Sequence, residues 1–171
     1  MQNGMEFGHA AIGSSRNFKG RQHMKRLFIL CIMMTMLLPC LAMGEESPIG
    51  KIKTSKGDVV IIHSGEEIAI NAGDRLYQND IIRTGADSSV GIIFEDDTIL
   101  SLGPESEIVI DEYVFTPQEG KLSMIASMLK GTASYLSGII GRQSPESVKF
   151  QTPDATIGIR GTKFLVKVED K

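Results

Sequence analysis

The sequence predicts an all-β domain preceded by an export signal, and three observations support this. Short runs of β-branched residues recur along residues 50–168 and are separated by Gly, Asp and Asn at fairly even spacing. The chain beyond Gly44 contains no cysteine, so its stability must rest on apolar packing and backbone hydrogen bonds. The 127 residues that follow Gly44 are enough for one core. We therefore expect a single domain of short strands, coiled like a β-solenoid or a β-roll.

The N-terminal residues are typical of a targeting segment. Residues 1–23 are polar and lack periodicity, which indicates a disordered extension or a start-site artefact, with Met24 as the true start. Residues 24–44 combine a short basic start, an apolar run and small residues before Gly44, which is the layout of a signal peptide cleaved after Gly44. This predicts a periplasmic or secreted protein. The alternative is an uncleaved anchor, which would be the chain's one contact with the membrane.

The sequence of residues 45–171 predicts one strand after another. Strands are expected at 59–62, 68–70, 80–84, 90–94, 98–102, 108–115, 148–151 and 163–168. The turn residues Asp96-Asp97 lie between two alternating runs and predict a β-hairpin. Residues 121–140 are ambiguous. We predict two strands that turn at Lys130-Gly131, and a short helix over 121–129 is the competing interpretation because apolar residues there fall at helical spacing.

Charge is unevenly distributed along the chain. Residues 58–119 hold fourteen acidic residues against two arginines, whereas residues 120–171 hold eight basic and four acidic residues. This asymmetry predicts that the C-terminal segment folds back against the acidic one. The net negative charge beyond Gly44 argues against binding to a phosphate backbone, so nucleic acid is not an expected partner.

Few residues are candidates for chemistry. His63 is the one histidine beyond Gly44, and an isolated histidine at the end of a β-branched run is most often a packed or surface residue. Ser64 precedes Gly65 and is interpreted as a turn residue. The acidic run at residues 95–97 could hold calcium, but its spacing matches no calcium loop, so solvated side chains are the favoured interpretation. We expect no enzymatic activity, no cofactor and no metal.

Arg160 is predicted to stabilise the fold. Gly158 and Gly161 bracket it and permit a close backbone approach. A guanidinium without a local ion partner is expected to reach a carboxylate elsewhere in the chain, and a buried bidentate arginine is most often structural. The alternative is a cation that faces a partner protein.

Two blocks of residues together resemble the FecR domain family, with a resemblance that extends over residues 50–168. The first block runs from the Gly-Asp pair at 73–74 to the Asp-x-Ile-x-Thr pattern at 80–84, and the second from the Thr-Pro pair at 152–153 to the Arg-Gly-Thr run at 160–162. The motif residues, which are expected to be structural or partner-binding, are Gly73, Asp74, Asp80, Thr84, Thr152, Pro153, Gly158, Arg160, Gly161 and Thr162.

The resemblance implies an extracytoplasmic all-β domain. The name-giving members of the family are inner-membrane regulators of sigma factors, with a cytoplasmic anti-sigma segment that residues 1–23 do not resemble. We therefore expect a stand-alone secreted version that acts as a non-catalytic binding or scaffold module for an envelope protein. The alternative is an anchored component of a cell-surface signalling system related to sigma-factor regulation.

Overall fold

The structure is a computed structural model that describes Arg26, Ile29 and residues 46–159 and 162–169. The chain divides into two units, Met1–Gly44 and Glu45–Lys171, and nearly all described residues belong to the second. Apart from Arg26 and Ile29, which are helical, the predicted signal peptide lies outside the described residues, as do Arg160 and Gly161. None of the described helices has the length and apolar character needed to cross a membrane.

The described part of the second unit consists almost entirely of strands. These are β1 (Gly50–Lys56), β2 (Val59–His63), β3 (Glu66–Ala69), β4 (Arg75–Leu76), β5 (Ile81–Thr84), β6 (Ser89–Phe94), β7 (Ile99–Leu102), β8 (Glu107–Thr116), β9 (Lys121–Leu136), β10 (Val148–Gln151), β11 (Thr156–Gly158) and β12 (Lys163–Val168). One short helix, α1 (Ile139–Gln143), follows β9, and single 3-10 turns lie at Pro117–Glu119 and Pro145–Ser147.

The strands form one curled sheet in the order β3-β2-β5-β8-β9-β7-β6-β1-β4, and β10, β11 and β12 join it beside this path. Neighbouring strands are antiparallel except for the parallel pair β9 and β10. The predicted all-β fold is confirmed, and the sheet curls into a half-barrel. The hairpin predicted at Asp96-Asp97 is also confirmed, because β6 and β7 pair from Val90 opposite Leu102 to Ile93 opposite Ile99.

Strand β9 corrects both predictions for residues 121–140. The segment is neither a helix nor two strands joined by a turn at Lys130-Gly131; it is a single strand of 16 residues. Its first part pairs with β8, and the part from Gly131 onward pairs with β12 and, at residues 133–136, with β7. Gly131 has φ of 90°, a left-handed conformation that favours glycine, and a Cβ there would lie 2.4 Å from the Ser106 Cα atom. The glycine therefore bends the strand without ending it.

The core lies on the inner face of the curl, and alternation along each strand supplies it. In β9, Met124, Ala126 and Met128 are buried although their composition favours a helix. The segment forms a strand because every second residue faces the core, which is the periodicity of a sheet and not of a helix. Rings of Tyr135, Phe150 and Phe164 meet at centroid distances of 5.0–5.6 Å and join β9, β10 and β12.

The acidic run at the β6–β7 turn differs from the prediction of solvated side chains. Glu95 and Asp97 are exposed, but Asp96 is fully buried. Its Oδ2 atom accepts hydrogen bonds from the Thr98 hydroxyl (2.8 Å) and the backbone N–H of Ile140 (3.0 Å). Asp97 has φ of 64°, the left-handed conformation that this turn position requires. The buried carboxylate therefore attaches the start of α1 to the hairpin.

Candidate binding groove

The groove is organised around a contact between His63, at the end of β2, and Asp80, just before β5. The Nδ1 atom of His63 lies 2.6 Å from Oδ1 of Asp80. The other carboxylate oxygen of Asp80 accepts a hydrogen bond from the backbone N–H of Tyr77 at 2.7 Å. The Asp80 side chain is buried, whereas that of His63 is 34% exposed. A buried acid thus orients an imidazole that stays partly exposed to solvent.

The surroundings of His63 favour its charged form. Hydrogen bonding to Asp80 raises the pKa of His63 above its ordinary value of 6.5, and partial burial opposes this. The negative charges of Asp80, Glu46 and Glu66 raise the pKa further. The Tyr77 ring, whose centroid lies 5.2 Å from that of the imidazole, packs beside it. His63 therefore keeps its positive charge to a higher pH than an isolated histidine does.

Two adjoining depressions form the groove, and they share Glu46, Gln78 and Asn79. The smaller, of about 300 Å³, contains the His63–Asp80 pair. The larger, of about 560 Å³, is lined by the carboxylates of Glu46 and Glu95, by the amides of Gln78 and Asn79, and by Tyr113 and Phe115. We call these two depressions together the acidic groove.

Hydrogen bonds hold two lining residues of the acidic groove, Gln78 and Tyr113, in place. The side-chain amide oxygen of Gln78 (Oε1) accepts a hydrogen bond from the backbone N–H of Tyr113 at 3.3 Å. The Tyr113 hydroxyl donates to Oδ1 of Asp96 (3.2 Å) and accepts from the backbone N–H of Asp96 (2.9 Å). Burial and the nearby Asp96 carboxylate raise the pKa of Tyr113, so the phenol stays neutral. The ring is therefore a fixed apolar wall.

The first block of motif residues stabilises turns. Oδ2 of Asp74 accepts from the backbone N–H of Asn71 at 2.7 Å, and the N–H of Gly73 donates to the Ile52 carbonyl at 2.8 Å. The Thr84 hydroxyl donates to the Gly103 carbonyl (2.7 Å) and accepts from the N–H of Ser106 (2.9 Å). The Asp74 and Thr84 side chains thus replace backbone partners at turns beside the strands.

The second block lies in a different part of the domain. Thr152 and Ala155 close the β10–β11 turn with an N–H···O bond of 2.8 Å, and Pro153 is exposed within that turn. Gly158 ends β11, and the Thr162 carbonyl accepts from the N–H of Ser137 at 2.9 Å. Of the motif residues that the structure describes, Asp80 alone lines the acidic groove.

Sequence reasoning missed the role of His63, which it treated as an isolated packed or surface residue. The antiparallel register of β2 and β5 sets Ile62 opposite Ile81, and continuing this register by one residue brings His63 opposite Asp80. The contact follows from the pairing of β2 with β5, which β3, β4 and their connecting loops separate in sequence, so local periodicity does not reveal it. No three His, Cys, Asp or Glu residues within the described ranges are grouped so as to hold a metal ion.

Comparison with known proteins identifies a family for most of the folded unit. The model of the family described as FecR protein matches residues 80–171, a segment that begins at Asp80 and includes β5 to β12. No curated protein and no solved structure matches the chain at a significant level.

Proposed function

The chain belongs to the FecR family, a family of regulatory and signalling domains that act in cell-surface signalling, and on that premise we propose that it is a non-catalytic binding and scaffold module in the periplasm. In this proposal the acidic groove receives a segment of an envelope protein that carries lysine or arginine. The domain presents a fixed surface, and the signal passes through the partner that the surface holds.

The lining of the acidic groove is the observation that carries this proposal. Glu46 and Glu95 supply two carboxylates, while Tyr113 and Phe115 supply apolar walls beside them. A lysine or arginine side chain has the matching chemistry, since its aliphatic stem packs on rings while its charged end reaches carboxylates. Residues 58–119 are strongly acidic, so they attract a basic partner electrostatically. Dissolved salt screens this attraction and shortens its range.

Site-specific photo-crosslinking in cells tests this proposal. A photoreactive amino acid at Ser47, an exposed lining residue without a binding role, lies in the groove, and one at Lys149, which is exposed on β10, is the matched control. We expect a crosslinked envelope protein from position 47 that is absent from position 149. The product should be lost when Glu46→Lys is added or when salt is raised. Equal products from both positions, or a product that survives Glu46→Lys, would contradict the proposal.

The anchored signalling component is the second candidate function, favoured by the apolar run at residues 27–38. Mass spectrometry of the protein isolated from cell fractions separates the two. The periplasmic module predicts an N-terminus at Glu45 in the soluble envelope fraction. An intact N-terminus in the membrane fraction would instead support the anchored component.

A further inference from the structure

Four strands pair on one side only within the described residues, and two of them, β3 and β12, carry a large exposed apolar residue. Strand β12 pairs with β9 and with no other described strand, and β3 pairs in the same way with β2 alone. Leu165 in β12 is 75% exposed and Ile68 in β3 is 48% exposed, which are high values for large apolar residues in strands. Unpaired strand edges of this kind are templates for adding a strand from another chain.

The hydrogen-bonding phase shows which residues face each open edge. The Ser137 N–H donates to the Thr162 carbonyl (2.9 Å), and bonding alternates along an antiparallel strand, so the backbone groups of Lys163, Leu165 and Lys167 point away from β9. The same reasoning applies to β3. The N–H of Ile70 donates to the Val59 carbonyl (3.2 Å), so the backbone groups of Glu67 and Ala69 point away from β2.

We propose that the open edge of β12 in one copy of this chain pairs antiparallel with the open edge of β3 in a second copy. In the register that joins the outward backbone groups, Glu67 lies opposite Lys167 and Ala69 lies opposite Leu165. Between these pairs, Ile68 meets Val166 on the inner face. Opposite charges and apolar pairs at facing positions stabilise antiparallel strands.

The charges select this pairing over pairing between identical edges. Two β12 edges centred on Leu165 would set Lys163 opposite Lys167, and facing like charges are destabilising. Two β3 edges bring their adjacent glutamates, Glu66 and Glu67, close together. In the isolated chain Lys167 contacts Glu169 at 2.9 Å and Glu67 lies 3.8 Å from Arg83, and all four side chains are at least 42% exposed. Exposed pairs of this kind exchange partners at little cost.

Head-to-tail pairing has a distinctive consequence for assembly. Each copy offers β12 to one neighbour and β3 to another, so the contact is heterologous and extends from copy to copy unless the rotation between copies closes a ring. Both strands are held firmly enough to act as templates. Phe164 of β12 packs against Tyr135 and Phe150 at centroid distances of 5.0 Å, and β3 is joined to β2 by the two-residue turn Ser64-Gly65.

Sedimentation velocity tests the proposal on the purified protein, with its N-terminus established by mass spectrometry. At low salt we expect the sedimentation coefficient to rise with protein concentration beyond the value for a dimer. Glu67→Lys alone and Lys167→Glu alone should each lose that rise. An equimolar mixture of the two variants should recover it, because each then meets the complementary charge. Matched controls are Glu119→Lys and Lys149→Glu, exposed sites away from both edges, which should sediment like the unmodified protein.

Circular dichroism shows whether each variant is folded before it is used, and the recovered mixture is itself proof that both variants fold. A protein that stays monomeric at every concentration overturns the proposal. So does assembly that stops at a dimer, because the head-to-tail series of copies would then be absent. Failure of the folded variants to recover assembly when mixed also overturns it.

Discussion

The carboxylate of Asp96 accepts a hydrogen bond from the backbone N–H of Ile140 at 3.0 Å, across 44 residues of sequence. The same side chain accepts from the N–H and hydroxyl of Thr98, and the Thr98 hydroxyl in turn accepts from the N–H of Gly138 at 3.0 Å. The β6–β7 turn and the start of α1 are thus one hydrogen-bonded unit. The helix is only five residues long, so it depends on this attachment.

Replacing Asp96 should destabilise the domain strongly. Asp96→Ala leaves the Ile140 N–H and the Thr98 hydroxyl buried without their acceptor, and we expect a loss of about 3 kcal/mol in the free energy of unfolding. Chemical denaturation measures this. Glu95→Ala, at the exposed neighbouring position, is the control and should change the free energy by less than about 0.5 kcal/mol. Equal effects at the two positions would contradict the role assigned to Asp96.

Gly131→Ala should be costly for two reasons, the left-handed φ of 90° and the approach of its Cβ to Ser106. We expect a loss of about 2–3 kcal/mol in unfolding free energy. Gly120→Ala is a matched control, because Gly120 also has a left-handed φ, 68°, but has open space around its Cβ position. It should lose only about 1 kcal/mol. Thermal or chemical unfolding compares the two, and a Gly131→Ala variant no less stable than Gly120→Ala would be inconsistent with the bend in β9.

His63 should make stability depend on pH. Its folded pKa is raised, so its contribution is fully present below the ordinary value of 6.5 and is lost as pH rises through the folded value above 6.5. We expect the free energy of unfolding to fall across that window because the contact with Asp80 loses its charge. The folded pKa is measurable by NMR titration of the imidazole. His63→Gln should flatten this part of the profile, and an unchanged profile in that variant would rule out the assignment.

Arg160→Ala should destabilise the domain by about 3–5 kcal/mol if the arginine is paired with a buried carboxylate, because the substitution leaves that charge alone. Arg160→Lys keeps the charge but loses the bidentate geometry and should recover only part of the stability. Melting temperatures of the three proteins decide the matter. If the unmodified protein and the Arg160→Ala variant had the same melting temperature, the Arg160 side chain would have no structural partner.

The sequence predicted those features that depend on local periodicity and turn chemistry. Alternating apolar residues revealed β6, β7 and β8, and Asp96-Asp97 marked the hairpin between two of these strands. Gly131 was predicted to form a turn because glycine commonly marks turns. In the structure the Ser106 hydroxyl oxygen accepts a hydrogen bond from the N–H of Thr132 (2.9 Å), and the strand continues.

The groove could not be predicted in the same way. The contact between His63 and Asp80 depends on the register of β2 with β5, and the burial of Asp96 depends on a helix that arrives more than forty residues later. Both are long-range relationships that no single stretch of sequence encodes. Of the motif residues, Asp80 lies in the groove, but its neighbours Glu46, Gln78 and Asn79 carry no recognisable motif.

Because β9 forms ladders with β8 and β10 before its bend and with β7 and β12 after it, neither half of the sheet can melt while the other keeps its full set of backbone bonds. The domain should therefore unfold as one cooperative unit. Its slowest amide protons should lie along both halves of β9 and exchange at a common rate. Folding should be slow for a chain of this size, since that one strand must find partners drawn from widely separated parts of the polypeptide.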